Sequence, residues 1–107
     1  MLSDVAAALA LAWIIAGEAS TCPVEAKVAI AQVHANRIEA QIEGGWFGWQ
    51  EPRAQDVQVA LSWQSWPDLV GGALYAIGPG DRSKMPWLRQ RTGRWKCAGG
   101  DFVEVWM

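Results

Sequence analysis

The sequence predicts a small, mostly helical domain with a short strand or hairpin near its C-terminal end. Three observations carry this. Residues 5–17 (VAAALALAWIIAG) are almost wholly apolar. Val24, Val28, Ala31, Ala35, Ile38 and Ile42 recur at steps of four and three, which is one stripe of a long helix. Phe102 to Trp106 alternates as a short strand does.

The elements follow in order. Ser3 or Asp4 can cap a first helix that runs to about Gly17. It is apolar all round, so it is expected inside the domain, Trp13 included. It is too short to span a bilayer, and Met-Leu-Ser-Asp before it is acidic where a signal peptide is positive. A buried core helix is therefore expected, with no export signal and no stable membrane insertion. Pro23 suits the start of the second helix, and Gly44-Gly45 is expected to stop it. Residues 44–52 (GGWFGWQEP) read as a loop or tight hairpin. Asp56 opens a short third helix ending near Trp63, a second Trp expected in the core. Ser65 and Pro67 open a fourth, with Leu69, Ala73 and Ile77 inward and Gly78-Pro79-Gly80 at its end. The remainder, 81–107, has little helical periodicity.

The 107 residues suit one domain, 1–107, with a single core. Apolar residues make up 51% and charged residues 19%, so the chain is neither disordered nor fibrous. The eight Trp exceed what so small a core can hide. The net charge of −2 argues against a nucleic-acid partner. The charge is nevertheless uneven. Arg82, Lys84, Arg89, Arg91, Arg94 and Lys96 form a basic segment with no acid in it. It reads either as a solvated loop or as a contact for anionic groups of a partner. Cys22 and Cys97 are too far apart for a zinc finger. They read as one disulfide or as two free thiols.

Glu18 stands out among the carboxylates, because it alone follows a long apolar helix. A helix C-terminus is partially negative, and apolar surroundings disfavour an ionised carboxylate. Both favour the protonated form, which a general acid needs. The flanking sequence strengthens the point. Gly17-Glu18-Ala19, Lys27-Val28-Ala29, Ala31-Gln32-Val33 and Asn36-Arg37 stand at the spacing of the opening motif of the SleB-like cell wall hydrolases, and the chain resembles that family over these residues. Gly45 to Trp49, Gly72 to Gly78 and Gly99 to Phe102 are weaker echoes. Thr21-Cys22 departs from the family's usual Gly-Glu, and Asp101 stands near its usual closing His.

The resemblance implies a lysozyme-like α+β fold with the catalytic Glu at a helix end, and it implies lytic transglycosylase chemistry on peptidoglycan. Glu18 would protonate the glycosidic oxygen between N-acetylmuramic acid and N-acetylglucosamine. As carboxylate it would then take the proton of the muramic 6-hydroxyl, closing a 1,6-anhydro ring. A lysozyme that hydrolyses the bond commonly uses a second carboxylate. Glu51 and Asp101 are the candidates for one.

Loop aromatics suit a glycan cleft, since sugar C–H faces stack on indoles. Trp46, Phe47, Trp49, Gln50 and Trp87 are the candidate substrate-binding residues. No metal and no organic cofactor is expected. A zinc amidase needs about three ligands, often His, and the chain has only His34. His34 lies near the apolar side of its helix, where a satisfied core histidine is the simpler reading than a cysteine peptidase's base. A monomer acting on the cell wall is expected, either an endolysin that another protein releases or an excised catalytic domain. The competing reading is a non-catalytic glycan-binding module that grips by stacking.

Overall fold

The computed structural model describes residues 2–46 and 50–107. Three helices come first: α1 (Leu2–Ala19), α2 (Val24–Glu39) and α3 (Ala54–Ser62). Three short strands follow: β1 (Tyr75–Ile77), β2 (Arg91–Lys96) and β3 (Phe102–Trp106). They form one antiparallel sheet in the order β1-β3-β2. The expected mostly helical α+β class and the C-terminal strand are both present. Among the described residues, no helix is long and apolar enough to cross a membrane.

The core lies between the helices and the sheet. It joins Ile15 of α1, Val28, Ile30 and Val33 of α2, Val59 of α3 and Val103 and Val105 of β3. Only half of α1 enters it. Leu11, Ala12, Ile15, Ala16 and Ala19 are buried, whereas Val5 and Leu9 are exposed. Trp13, expected in the core, is 39% exposed. From the first two turns Ala8 packs against the core while Val5 and Leu9 stand largely exposed, so composition alone overstates the burial of this end. Trp63 does pack against the core, half-buried.

Helix α2 stops earlier than its stripe suggests. Gln41 takes the left-handed conformation (φ 59°). The Gln41 and Ile42 amides then donate to the carbonyls of Ile38 (3.0 Å) and Arg37 (2.8 Å). This is a Schellman ending built on a glutamine rather than on the glycines that follow. Asp56 does not cap α3 from outside. It lies in the first turn and accepts the Arg53 amide at 2.8 Å.

No fourth α-helix forms. A single 3₁₀ turn at Trp63–Ser65 is followed by irregular chain. Asp68 Oδ1 accepts the amides of Val70 and Gly71, both at 3.0 Å, which closes an Asx-type turn in place of a helical one. Gly71 and Gly72 then take positive φ, which no continuing helix allows. The residues expected to face inward still do: Ala73 and Ile77 are buried, and Leu69 packs on the core.

Strand β2 was not visible in the sequence. It pairs with β3 through a bulge between Arg91 and Gly93. Gly93 lies under the Trp95 ring, and a Cβ there would stand 2.7 Å from Trp95. Glycine makes room for the indole on that face. Buried Glu104 of β3 accepts from Arg91 at 2.9 Å and pairs with Arg94 at 3.4 Å. Two of the three basic residues on β2 are thereby paired within the sheet.

Cys22 and Cys97 are joined in a disulfide, which settles the open alternative. The bridge closes 75 residues of chain. On loop entropy it contributes about 4–5 kcal/mol. Beside it, the Ala98 amide donates to Thr21 O at 3.0 Å. Together these fasten the turn after α1 to the β2–β3 hairpin.

Candidate active site

Glu18 is in the last turn of α1, half-buried, between buried Ala16 and Ala19. Four residues on, the disulfide fixes the chain that leaves the helix. Glu18 borders a cleft of about 780 Å³ together with Trp46, Tyr75, Asp81, Lys84 and Trp87. It also borders a smaller pocket of about 200 Å³ that includes Gly78, Asp101 and Phe102. Glu18, Ala76, Ile77 and Asp81 are common to both. The carboxyl therefore stands at the junction of a two-part groove.

The wall carrying β1 is held by α2. Gln32 bridges the loop before it, donating to Pro67 O (2.9 Å) and accepting from the Leu69 amide (2.8 Å). Asn36 donates to Ala73 O at 3.0 Å. The buried Arg37 guanidinium donates to Leu74 O at 2.9 Å and to Gly44 O at 3.0 Å. These carbonyls belong to residues outside β1, and one that is buried, as at Ala73, would cost about 1–3 kcal/mol without its donor. Arg37 also lies 5.8 Å from the Trp46 ring and 5.5 Å from that of Tyr75, within cation–π reach. The polar residues of the opening motif thus build the cleft wall.

Trp46 is fixed a second time. Its indole N–H donates to His34 Nδ1 at 3.1 Å. Burial, with the nearby Arg37 charge second, holds the His34 pKa below its ordinary value, so the imidazole stays neutral and able to accept. At the base of α2, Lys27 and Asp56 form a fully buried ion pair at 2.8 Å. It locks α2 to α3, away from the cleft.

The other wall is the loop 78–88. Asp81 Oδ2 accepts the Gly78 amide at 3.0 Å, closing the turn that ends β1. Arg82 donates to Met85 O and Leu88 O and lies 4.7 Å from the Trp106 ring. Among the described residues, no group of three or more His, Cys, Asp or Glu is placed to hold a metal ion.

The architecture matches a solved structure, the catalytic domain of the Bacillus cereus SleB protein. The TM-score is 0.67 over 98% of this chain and 91% of that one. The chain has the SleB catalytic-domain fold. Sequence identity is 23%. No family model and no curated protein matches the sequence.

Within that fold, the structure brings together Glu18, Trp46 and Trp87 of the candidate residues. Gln50 is half-buried and lies outside the lining of both pockets, as does exposed Glu51. Their chain segment leads to α3 rather than along the groove. Phe47 and Trp49 lie outside the described residues. Asp101, the other candidate second carboxylate, does border the smaller pocket, with its Oδ1 accepting the Phe102 amide at 2.8 Å. Sequence reasoning missed Tyr75, Asp81 and Met85, and named Lys84 only as one member of the basic segment. The Gly78-Pro79-Gly80 turn was a signal for them. It folds β1 against the 81–85 segment, whereas it had been read as a helix end.

Proposed function

We propose that residues 1–107 act as one catalytic domain that cuts the glycan strands of bacterial peptidoglycan. The observation that carries this is Glu18 at the junction of the two pockets. A bond lying across the junction has sugars on both sides and the Glu18 carboxyl within reach, with Asp81 also bordering both parts. The motif resemblance and the SleB catalytic-domain fold support the same reading from independent directions.

Glu18, as the acid, gives its proton to the glycosidic oxygen as the bond from muramic C1 breaks. The resulting carboxylate takes the proton from the muramic 6-hydroxyl as O6 bonds to C1. The products are a 1,6-anhydromuramyl end and a free N-acetylglucosamine 4-hydroxyl. Glu18 returns to its starting protonation state, so one group serves both steps. Trp46 and Trp87 offer stacking faces along the larger pocket. The substrate places the site of action at the cell wall, where the domain acts as a monomer.

A second reading, hydrolysis, has a specific observation behind it. Asp81 and Asp101 border the smaller pocket with Glu18, where a carboxylate could steer water to C1. Purified peptidoglycan decides between them, with soluble fragments read by mass spectrometry. Wild type is expected to release anhydromuropeptides, and folded Glu18→Gln none. Reducing muramic ends would establish hydrolysis instead. No release by wild type at any pH would leave a non-catalytic glycan-binding module.

A further inference from the structure

The two parts of the groove differ in charge. On one side of Glu18 the smaller pocket is bordered by Asp81 and Asp101 and by no cation. On the other side the larger pocket includes Arg37 and Lys84. These two cations are not equivalent. Arg37 is buried, and its guanidinium is committed to the carbonyls of Leu74 and Gly44. Lys84 is exposed, and among the described residues its ammonium has no ion pair. Asp81 borders both parts, but one of its oxygens is tied to the Gly78 amide.

The backbone beneath Lys84 is well held. Its amide donates to Asp81 O at 3.0 Å, and the Met85 amide donates to Arg82 O at 3.2 Å. Arg82 clamps the segment through Met85 O, Leu88 O and the Trp106 ring. Lys84 is therefore presented from a fixed turn, between the half-buried Met85 and the cleft. Fixing the backbone lowers the entropy lost when the head group takes a ligand.

The two alternating sugars of a glycan strand differ in one group. The muramyl residue carries a lactyl ether on O3, which ends in a carboxylate or continues into a peptide with carboxylates of its own. The glucosamine residue carries neither. A cation on one side of the scissile bond and carboxylates on the other would then set the direction of the strand. Resting on the reading of the substrate as a glycan strand, we propose that Lys84 is the specificity-determining residue of the larger pocket, recognising a carboxylate carried on the lactyl arm of the muramyl sugar. The muramyl residue lies on the Lys84 side of Glu18. The smaller, carboxylate-lined pocket takes the neighbouring glucosamine and repels a second muramyl arm.

The test measures binding in the Glu18→Gln background, by tryptophan fluorescence, so that it does not depend on turnover. The probes are glycan strands stripped of peptide and strands still bearing peptide, each compared with the same material after its carboxyls are amidated. Amidation is expected to weaken binding about tenfold, the size of one charge-assisted hydrogen bond. Whichever pair shows the loss identifies the carboxylate as that of the lactyl group or that of the peptide. Lys84→Met should bind native and amidated strands equally, and Lys84→Arg should keep the preference. Binding indifferent to amidation, a Lys84→Met protein that still discriminates, or no binding to any strand overturns the assignment. Amidation-sensitive binding without release of fragments by wild type would sink cleavage and leave Lys84 in place.

Discussion

Helices α1 and α2 lie side by side and invert what their compositions suggest. The first turns of α1 are nearly all apolar, yet Val5 is 56% and Leu9 49% exposed. Helix α2 is the more polar, yet Lys27, Gln32 and Arg37 are buried. The difference is one of partners. Each buried polar group of α2 meets its complement: Lys27 the Asp56 carboxylate, Gln32 both sides of the 67–69 loop, Arg37 two stray carbonyls. In the first turns of α1, Ala8 packs against the core while Val5 and Leu9 stand largely in water. Burial follows what the rest of the chain brings to a face, and a polar helix can be the hub of a small domain if every donor is answered.

Breaking α2 should therefore cost far more than breaking exposed α1. Lys27→Met leaves the Asp56 charge buried without its cation, a loss of about 3–5 kcal/mol. Urea unfolding would measure it. The double change Lys27→Met with Asp56→Leu should recover part of that loss, although the Arg53 amide still lacks its acceptor. If Lys27→Met proves nearly neutral, the ion pair is not what fastens α2 to α3.

A smaller effect should appear at His34. Its pKa is lowered in the folded state from the ordinary 6.5, so the unfolded chain binds the proton more readily. The stability it contributes is present above pH 6.5 and declines as pH falls toward the lowered folded value. His34→Gln should flatten the stability–pH curve in that window, as measured by denaturant midpoints at a series of pH values. An unchanged slope would show that protonation does not disturb the bond to Trp46.

The smallest effect belongs to α1. Leu9→Ser should shift stability by no more than about 0.5 kcal/mol, since the side chain is already half in water. A loss well above that, growing with protein concentration, would mean that a second copy covers the face in solution.

How much of this was legible beforehand varied with the kind of signal. Long periodic segments were clear: α1, α2, α3 and β3 all stand close to where their patterns place them. Their ends were less so, because Gln41 is not a residue that advertises a left-handed turn. The region 65–77 was misread because its inward residues, Leu69, Ala73 and Ile77, suit a helix as well as a turn followed by a strand. Only Asp68 and Gly71-Gly72 argued otherwise. Strand β2 reads Arg-Thr-Gly-Arg-Trp-Lys, with its packing supplied by Trp95 alone, so no alternation of apolar residues marks it. In the groove, Glu18 was legible because a carboxyl after an apolar helix is unusual, and Trp46 and Trp87 because indoles in loops are. Tyr75 and Asp81 were not, and Lys84 only as part of a basic segment, since the three come to line one cleft only when the chain turns back after β1. Spacing could not decide the disulfide either, because it depends on the turn at Thr21 meeting the hairpin at Ala98.

The strand order has a bearing on how the protein is made. Both β1 and β2 pair only with β3, and β3 is the last of the six elements to leave the ribosome. While the chain is growing, α1 and α2 can already pack and hold Glu18, but Tyr75 to Ile77 have no strand to lean on. The acid exists before the groove does. Assembly of the groove is thereby deferred until β3 has emerged, when the non-local pairing that closes the sheet first becomes available.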